Sequence, residues 1–279
     1  MDLNNMMKNM EMTSAQKIKA EEGDYIVDGL LYCHKCNTKK QTRIEVNGKV
    51  WTPFCLCKCE SERLEAEEAE RKRRQFLERV KNLRQRGFPE AQMIDWTFAK
   101  DDHANEKISS VAHKYVEHFE EMRKRSKGLL FYGTVGTGKT FMSACIANAL
   151  IDQGIPCLMT NFARLCNTIS GMYDGKQEYI DGLSKFELLV IDDLASERDT
   201  EFMAEIVHSI IDSRYRSGKP LIVTTNLTAE ELKNPAEMRK QRIYSRLFEM
   251  CLPVEVKGND RRKQKLKEDY KELEDLLDL

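Results

Sequence analysis

The chain has 279 residues, of which 41% are hydrophobic and 33% are charged, and its formal net charge is −1. This length allows one large domain or two smaller ones, and the near-neutral charge excludes a global basic field that would attract nucleic acid. No apolar run is long enough to cross a bilayer, and the N-terminus lacks the apolar core of a signal peptide, so the sequence predicts a cytoplasmic protein without membrane contact.

The N-terminal third of the chain divides into segments of different composition. Residues 1–24 are polar and Met-rich, which predicts a flexible N-terminus. Residues 25–60 contain short strand-like runs such as "TRIEVNGKVW", in which the Asn-Gly pair predicts a hairpin turn. Residues 61–90 are helix formers of mixed charge and predict a charged linker helix that ends at "GFP". The remainder, residues 91–279, is predicted to form the main domain.

The cysteines are concentrated in the second of these segments. Five of the nine lie between residues 33 and 59, and their spacing offers four thiolates on two short loops, as tetrahedral Zn²⁺ requires. A segment this short has too little core to fold alone, so the metal would supply its folding energy. Cys55 and His34 exceed the four ligands and could replace one of them, and a redox-reactive thiol cluster is the alternative to a metal site. The predicted zinc ligands are Cys33, Cys36, Cys57 and Cys59.

From residue 91 onward, short apolar runs alternate with helical segments. Strands separated by helices are typical of a parallel sheet that is covered on both faces. The sequence therefore predicts an α/β domain with a five-stranded, mostly parallel sheet covered by helices, preceded by the zinc-binding region and the linker helix. A charged tail at 260–279 is predicted to form a final helix. The predicted strands are 128–133, 155–160, 186–194, 219–227 and 252–256.

The first of these strands runs into "GTVGTGKT", which matches the phosphate-loop pattern G-x-x-x-x-G-K-[ST] in full. Glycines let backbone N–H groups surround the phosphates, and the helix that follows directs its positive end at them. We expect Lys139 to reach the β- and γ-phosphates of ATP and the Thr140 hydroxyl to bind Mg²⁺. The predicted nucleotide-binding residues of the loop are Gly133, Thr134, Val135, Gly136, Thr137, Gly138, Lys139, Thr140 and Phe141.

Two further segments place polar side chains at the ends of predicted strands. In "LLVIDD", we expect Asp192 to bind Mg²⁺ and Asp193 to polarise the attacking water as general base, with helix capping as the alternative. Asp193 is one methylene shorter than a glutamate, which predicts slow hydrolysis that suits a switch better than a motor. In "IVTTNL", we expect Asn226 to hold the attacking water or the γ-phosphate, with a turn-forming role as the alternative.

A later segment, "RIYSRLFEM", places Arg242 and Arg246 one turn apart on a predicted helix. An arginine offered to the γ-phosphate of a neighbouring subunit would make hydrolysis depend on assembly. A solvated basic helix face is the alternative interpretation of the same spacing.

These motifs, with a closing "VKGNDRR", occur in one order along the chain. The series resembles the AAA+ ATPases of the DnaC/DnaI helicase-loader and IstB transposition-helper family, within the initiator clade, over about residues 95–265. The resemblance implies that Asn226 is the first sensor residue and that Arg246 is the arginine finger, with Arg242 as the lesser candidate. It also implies that Phe98, in "DWTFA", contacts the adenine base.

The resemblance further implies a second sensor arginine, at Arg262. Asp260 replaces the serine of the family pattern at this point, so Arg261 and Arg262 both remain candidates. For single-stranded DNA, "NFARLCNTISGMYDGKQEY" offers two basic groups and a stacking ring, with an ordinary surface helix and loop as the alternative. Those three residues are Arg164, Lys176 and Tyr173.

As a function, the resemblance implies an ATP-dependent loader of a replicative DNA helicase, in which ATP signals assembly and hydrolysis releases the loader. The implied partners are a DnaB-type hexameric helicase, single-stranded DNA and further copies of the chain in an oligomer. The zinc region favours this branch, because the loaders contact the helicase through their N-terminal part. An IstB-type transposition helper and a small-molecule P-loop kinase are the other functions that the motifs allow.

Overall fold

A computed structural model describes residues 20–195 and 201–261, together with positions 263, 266, 270, 273, 274, 276 and 277 of the tail. The described residues belong to two compact units, of which the first ends at Leu77 and the second begins at Glu78. The described positions from Arg261 onward are helical, in agreement with the predicted final helix. Within this described part of the chain, no helix combines the length and apolar character needed to cross a bilayer.

The first unit contains two short antiparallel hairpins. Strands β1 (Tyr25–Val27) and β2 (Leu30–Tyr32) form one, and strands β3 (Ile44–Val46) and β4 (Lys49–Trp51) form the other. The Asn-Gly pair between β3 and β4 has φ values of 52° and 71°, as a two-residue hairpin turn requires. The predicted hairpin turn is therefore confirmed.

A long helix follows the second hairpin. Helix α1 spans Lys58–Gly87, where the sequence predicts a charged linker helix over 61–90. Its first part is exposed and carries ion pairs between charged residues of the same helix. Its last turns contribute Val80 and Leu83 to the apolar core of the second unit, so this unit begins within the predicted linker.

The second unit is built on a five-stranded sheet of order β6-β7-β8-β5-β9, in which every neighbouring pair is parallel. This confirms the predicted α/β class and the parallel sheet. Because the strands are parallel, the ends of β5, β7 and β8 lie side by side at one edge of the sheet. The strands are β5 (Gly128–Tyr132), β6 (Cys157–Asn161), β7 (Leu188–Leu194), β8 (Leu221–Thr225) and β9 (Cys251–Glu255).

Helices cover both faces of this sheet. The helices α2 and α3 lie in a stretch for which the sequence predicts no element, and the others follow the predicted alternation. Short 3₁₀ helices span Ala91–Asp95, Phe98–Lys100 and Leu183–Lys185. The α-helices are α2 (Glu106–Glu117), α3 (Phe119–Lys124), α4 (Lys139–Asp152), α5 (Phe162–Ser170), α6 (Lys176–Gly182), α7 (Glu201–Ser217), α8 (Ala229–Lys233) and α9 (Met238–Met250).

Alternate residues of the central strands enter two separate apolar clusters. Leu129 and Phe131 of β5 join the cluster that contains α2 and α4, whereas Leu130 joins the cluster that contains α5, α7 and α9. Both faces of the sheet are therefore buried, which explains why its strands are continuous apolar runs in the sequence. Such a core holds the strand ends rigidly, and those ends carry the candidate site.

Candidate functional site

The phosphate loop connects β5 to helix α4. Gly133, Gly136 and Gly138 have φ values of 127°, 77° and 92°, which side chains other than glycine rarely allow. A Cβ at Gly133 would lie 2.6 Å from the Val256 carbonyl oxygen, and the loop therefore requires glycine there for space as well as conformation. The Thr137 hydroxyl donates to the Thr134 carbonyl at 2.9 Å and closes the turn.

The side chain of Lys139 lies inside this loop and is only 5% exposed. Its Nζ donates to the carbonyl oxygens of Gly133 at 2.8 Å and Thr134 at 2.7 Å, and to Asn226 Oδ1 at 2.9 Å. The end of β8 therefore approaches the phosphate loop from the side. Lys139 and Asn226, which are far apart in the sequence, come together as their proposed phosphate-binding roles require.

The two acidic residues of "LLVIDD" lie at the end of β7. Asp192 is 8% exposed, and burial raises the pKa of its carboxyl above the usual range, while hydrogen bonds from Thr224 and Thr140 oppose this rise. A carboxylate beside a hydroxyl at the start of a helix offers oxygen ligands of the kind that Mg²⁺ prefers. Thr140 and Asp192 thus fit a shared Mg²⁺ site.

Asp193 follows in a left-handed backbone conformation, with a φ of 56°. The pairing of β7 with β8 shifts register between Ile191 and Leu194, so this acid lies within a bulge. The backbone N–H of Asp193 donates to the Thr224 hydroxyl at 3.0 Å. Thr224 was missed by the sequence reasoning, although a threonine inside the apolar run "LIVTT" is a signal that could have found it.

The segment that follows β9 covers the phosphate loop. The backbone N–H of Arg261 donates to the Gly136 carbonyl at 3.0 Å, and its guanidinium donates to Asp102 Oδ1 at 2.8 Å. The same guanidinium lies 3.6 Å from the position that a Cβ at Gly138 would occupy. Of the two candidates for the second sensor, Arg261 therefore lies against the loop, whereas Arg262 lies outside the described residues.

Two aromatic pairs involve helix α2, the first turn of helix α4 and the segment before them. The Phe98 ring stacks on the His113 ring at 4.0 Å, and the Phe141 ring lies 6.0 Å from the Trp96 ring. Phe98 also packs at the edge of the core. Its proposed contact with adenine stays a prediction.

The two arginines of "RIYSRLFEM" have different surroundings on helix α9. Nη1 of Arg246 lies 2.5 Å from Asp212 Oδ1 and donates to His208 Nε2 at 3.0 Å, and both partners are on helix α7. Its guanidinium also lies 6.0 Å from the centre of the Tyr215 ring. Arg242 is exposed. Helix α7 therefore anchors the side chain that the family resemblance identifies as the arginine finger.

The first unit brings the four predicted zinc ligands together. The sulfur atoms of Cys33, Cys36, Cys57 and Cys59 all lie within 4.8 Å of one another. The Cys59 sulfur is 3.4 Å from that of Cys57 and 3.6 Å from that of Cys33. A zinc tetrahedron with bonds of about 2.3 Å has edges of about 3.8 Å, so this cluster fits the metal. Within the cluster, a hydrogen bond with the Thr38 hydroxyl lowers the pKa of the Cys36 thiol, whereas hydrogen bonds with neighbouring thiols raise the pKa of Cys59.

The two other candidate ligands are engaged elsewhere. The Cys55 thiol donates to the Lys39 carbonyl at 3.5 Å, and His34 Nδ1 pairs with Asp24 Oδ1 at 3.1 Å. Asp24 also pairs with the buried Lys40 ammonium at 2.6 Å. This polar group was missed by the sequence reasoning, and it supports the loop that carries Cys33.

The candidate residues for single-stranded DNA occupy the helix α5, its loop and helix α6. Tyr173 is fully exposed, at 100%, and Arg164 is also exposed. The Lys176 ammonium lies 5.6 Å from the centre of the Phe202 ring. This segment therefore carries an exposed aromatic ring and two basic groups, which is the composition of a stacking platform.

Known proteins resemble this chain in sequence. The replicative helicase loader DnaC of Buchnera aphidicola is 28% identical over 133 residues, which cover 46% of this chain and 53% of that protein. The replicative helicase loader DnaI of Bacillus subtilis is 24% identical over 160 residues, which cover 53% of this chain and 51% of that protein. The chain therefore spans about half the length of these relatives.

The fold is also that of a solved structure. The crystal structure of DnaI has a TM-score of 0.52 and 22% identity, and it covers 61% of this chain and 96% of that chain. This likeness confirms the predicted AAA+ fold. A family model described as IstB-like ATP binding protein matches residues 59–269, which is most of the chain. The protein therefore belongs to the family of IstB-like ATP-binding proteins.

Proposed function

We propose that this protein is an ATP-dependent loader of a replicative DNA helicase that acts in the initiation of DNA replication in the cytoplasm. Family membership supports ATP binding, and relatives that carry the name of replicative helicase loader support the choice of process. The observation that carries the choice between loader and transposition helper is the four-thiol cluster. It precedes the ATPase domain, and all but its last cysteine lie outside the region matched by the family model.

The arrangement at the end of the sheet supports hydrolysis of Mg²⁺-bound ATP. Lys139 and Asn226 meet where the phosphates would bind, because Lys139 donates both to the backbone of the loop and to the Asn226 side chain. Mg²⁺ held by Thr140 and Asp192 would offset the negative charge of the phosphates. Asp193 would accept the proton of the attacking water, and its short side chain supports slow turnover.

Assembly is proposed to complete this site. Arg246 lies on helix α9 against Asp212 and His208 of helix α7, and it would contact the γ-phosphate bound by a neighbouring copy. Its anchoring to Asp212 would fix the direction of the guanidinium. ATP would then act as the assembly signal, and hydrolysis would release the loader.

The first unit is proposed to bind Zn²⁺ and to contact a DnaB-type hexameric helicase. Zinc at the four thiols would hold together the loops that follow β2 and β4, because this unit has little apolar core. The hairpins expose apolar side chains that a partner protein could cover, among them Ile26 and Val50, which are 73% and 59% exposed.

Single-stranded DNA is the proposed nucleic-acid ligand of the assembled ATPase units. Tyr173 would stack on a base, and Arg164 and Lys176 would follow the phosphate backbone. Replacing Tyr173 with Ala should weaken binding of a labelled single strand, whereas replacement of the exposed Tyr270 in the tail should not.

Co-purification with the replicative helicase of the host tests this proposal. The full-length protein should retain the helicase, and a Cys36→Ser variant should lose both zinc and helicase. Cys55→Ser is the matched control, because that thiol lies outside the four-sulfur cluster. Failure of the intact, zinc-loaded protein to bind any replicative helicase would overturn the assignment.

A transposition helper is the second candidate, since the matching family model carries the IstB-like description. Such a protein would bind duplex DNA and a transposase. Binding of equal lengths of single-stranded and duplex DNA, with ATP present, separates the two functions. Preference for the duplex together with no helicase binding would favour the helper.

A further inference from the structure

The hydroxyl of Thr224 contacts both acidic residues of the candidate ATP site. Thr224 lies in strand β8 and is fully buried, with an exposed fraction of 0%. Its Oγ1 donates to Asp192 Oδ1 at 2.5 Å and accepts the backbone N–H of Asp193 at 3.0 Å. A hydroxyl carries one proton, so acceptance from the amide leaves that proton for the carboxylate. The two hydrogen bonds therefore form together only when the hydroxyl proton of Thr224 points at the Asp192 carboxylate.

The strand irregularity explains why a side chain is needed at this point. Between Ile191 and Leu194 the register of β7 against β8 shifts, and the ladder of backbone hydrogen bonds is interrupted. Two neighbouring threonines of β8 supply side-chain bonds instead. The Thr224 hydroxyl accepts a hydrogen bond from the backbone N–H of Asp193, and the Thr225 hydroxyl donates to the Leu194 carbonyl at 2.9 Å.

The two threonines differ in one respect that matters for chemistry. Both are fully buried and both bridge the bulge, but the Thr224 hydroxyl donates to a carboxylate, whereas the Thr225 hydroxyl donates to a backbone carbonyl. With Oδ1 of Asp192 held from the β8 side, rotation of the carboxylate about its χ2 angle is restricted. The second interaction of Asp192, with the Thr140 hydroxyl, then meets a carboxylate of defined orientation.

We propose that Thr224 is a positioning residue that orients the Asp192 carboxylate toward Mg²⁺ and holds Asp193 in its left-handed conformation. Thr224 itself touches neither nucleotide nor metal and acts through the two acids. Hydrogen-bond partners of metal ligands commonly change metal affinity by 10- to 100-fold when they are removed. This inference rests on the proposed function, because it assumes that Asp192 binds Mg²⁺ with ATP.

The test is Mg²⁺ dependence in the full-length protein. Binding of a fluorescent ATP analogue is titrated with MgCl₂, with an EDTA sample as the metal-free baseline, and the half-saturating Mg²⁺ concentration of ATP hydrolysis is measured in parallel. Thr224→Val removes the hydroxyl with little change in volume and should raise the half-saturating Mg²⁺ concentration by about tenfold or more. Analogue binding in EDTA should change by less than about twofold, since Lys139 and the loop are untouched.

Two further variants separate positioning from structure. Thr224→Ser restores the hydroxyl and should return the Mg²⁺ dependence to within about twofold of the original protein. Thr225→Val removes the neighbouring hydroxyl and should lower the melting temperature about as much as Thr224→Val, yet leave the Mg²⁺ dependence unchanged. If Thr224→Val does not fold, Thr224→Ala is measured with the same expectations.

An unchanged Mg²⁺ dependence in Thr224→Val, or an equal change in Thr225→Val, overturns the role of Thr224. The behaviour of the unsubstituted protein tests the proposed function itself. If the unsubstituted protein shows neither Mg²⁺-dependent nucleotide binding nor hydrolysis, the ATPase assignment fails before Thr224 is tested.

Discussion

The two units of this protein are stabilised by different means. In the described part of the first unit, the buried hydrophobic residues are Leu30, Cys33 and Cys57, and two of these three belong to the four-thiol cluster. The second unit buries two large apolar clusters, one on each face of a parallel sheet. Burial of apolar area supplies most of the folding free energy of a large domain, and a segment with almost none needs a cross-link or a metal.

The two units therefore differ in what stabilises the fold and in what the proposed function requires. The first unit has a small apolar core and exposes apolar strand residues, and its fold is proposed to need zinc. The second unit has an ample core, and its ATP site is proposed to need an arginine from a neighbouring copy. Substitutions can test each proposal separately.

Removal of zinc should have the largest effect, and only on the first unit. Structural zinc sites contribute about 10 kcal/mol or more to folding, which the small apolar core of this unit cannot replace. A strong chelator should make the region before Leu77 sensitive to protease, while the region from Glu78 onward stays resistant and still binds ATP. Mass spectrometry of the fragments gives the result.

Metal analysis of two cysteine variants provides the control for this experiment. Cys55→Ser should retain about one zinc per chain, and Cys36→Ser should retain much less. A first unit that resists protease after complete zinc removal would show that its fold does not depend on the metal.

Arg246→Ala should have the next largest effect, and on hydrolysis rather than folding. Arginines supplied to a neighbouring active site contribute about 10³-fold or more to turnover, so ATPase activity should fall by that factor while ATP binding persists. Mixing Arg246→Ala with Lys139→Ala should restore activity, because one variant keeps the phosphate loop and the other keeps the finger.

Arg242→Ala, one helical turn earlier, is the matched control for the finger. It should retain most of the activity. Equal losses in both variants would contradict the assignment to Arg246, and absence of restoration in the mixture would favour a P-loop kinase that acts within one chain.

Arg214 should have an intermediate effect, on the stability of the second unit. Its guanidinium is 1% exposed and donates to the backbone carbonyls of Pro220, Phe186 and Glu187, and burial lowers its pKa to about 10. Arg214→Ala would remove the guanidinium donors of these carbonyls and leave that of Pro220 with only the Leu189 N–H at 3.4 Å. This loss should lower the free energy of unfolding by about 3 kcal/mol or more. Urea denaturation measures the loss, and Arg216→Ala, an exposed neighbour on the same helix, should leave the midpoint unchanged.

Ile26→Ser and Val50→Ser should have the smallest effect on stability. Both side chains are mostly exposed, so the zinc content and the protease pattern should stay those of the original protein. If these residues contact the helicase, its binding should weaken by about tenfold, as is typical for an apolar residue at the centre of an interface. Unchanged helicase binding in both variants would locate the contact elsewhere.

Much of the fold was predictable because its signals are local. Apolar runs identified the five strands, and the glycines of the phosphate loop identified a turn that only glycine can make. The choice of four cysteines among five followed from their spacing and agrees with the cluster in the structure. Helices α2 and α3 were missed although the buried residues Ile108, Ala112 and Tyr115 recur at helical spacing, so a local signal was available there.

The interactions of the candidate site were less predictable, because they join residues that are distant in sequence. The threonine inside "LIVTT" marks a polar side chain in a buried strand, but its bond to the acids of β7 depends on strand order and on a register shift. The pairing of Arg246 with Asp212 likewise depends on how α7 and α9 pack. Tertiary packing, rather than residue type, decides such contacts.

The covering of the phosphate loop by the segment after β9 has a practical consequence for anyone who alters the C-terminus. A Cβ at Gly136 would lie 2.9 Å from the Cα of Asp260, and Asn105 donates to the Lys257 carbonyl at 2.8 Å. The wall of the nucleotide site is thus made by residues that follow the last strand. A chain shortened to end at Glu255 would keep every strand of the sheet and yet lose this wall, so truncations designed from the sheet alone will cut into the site.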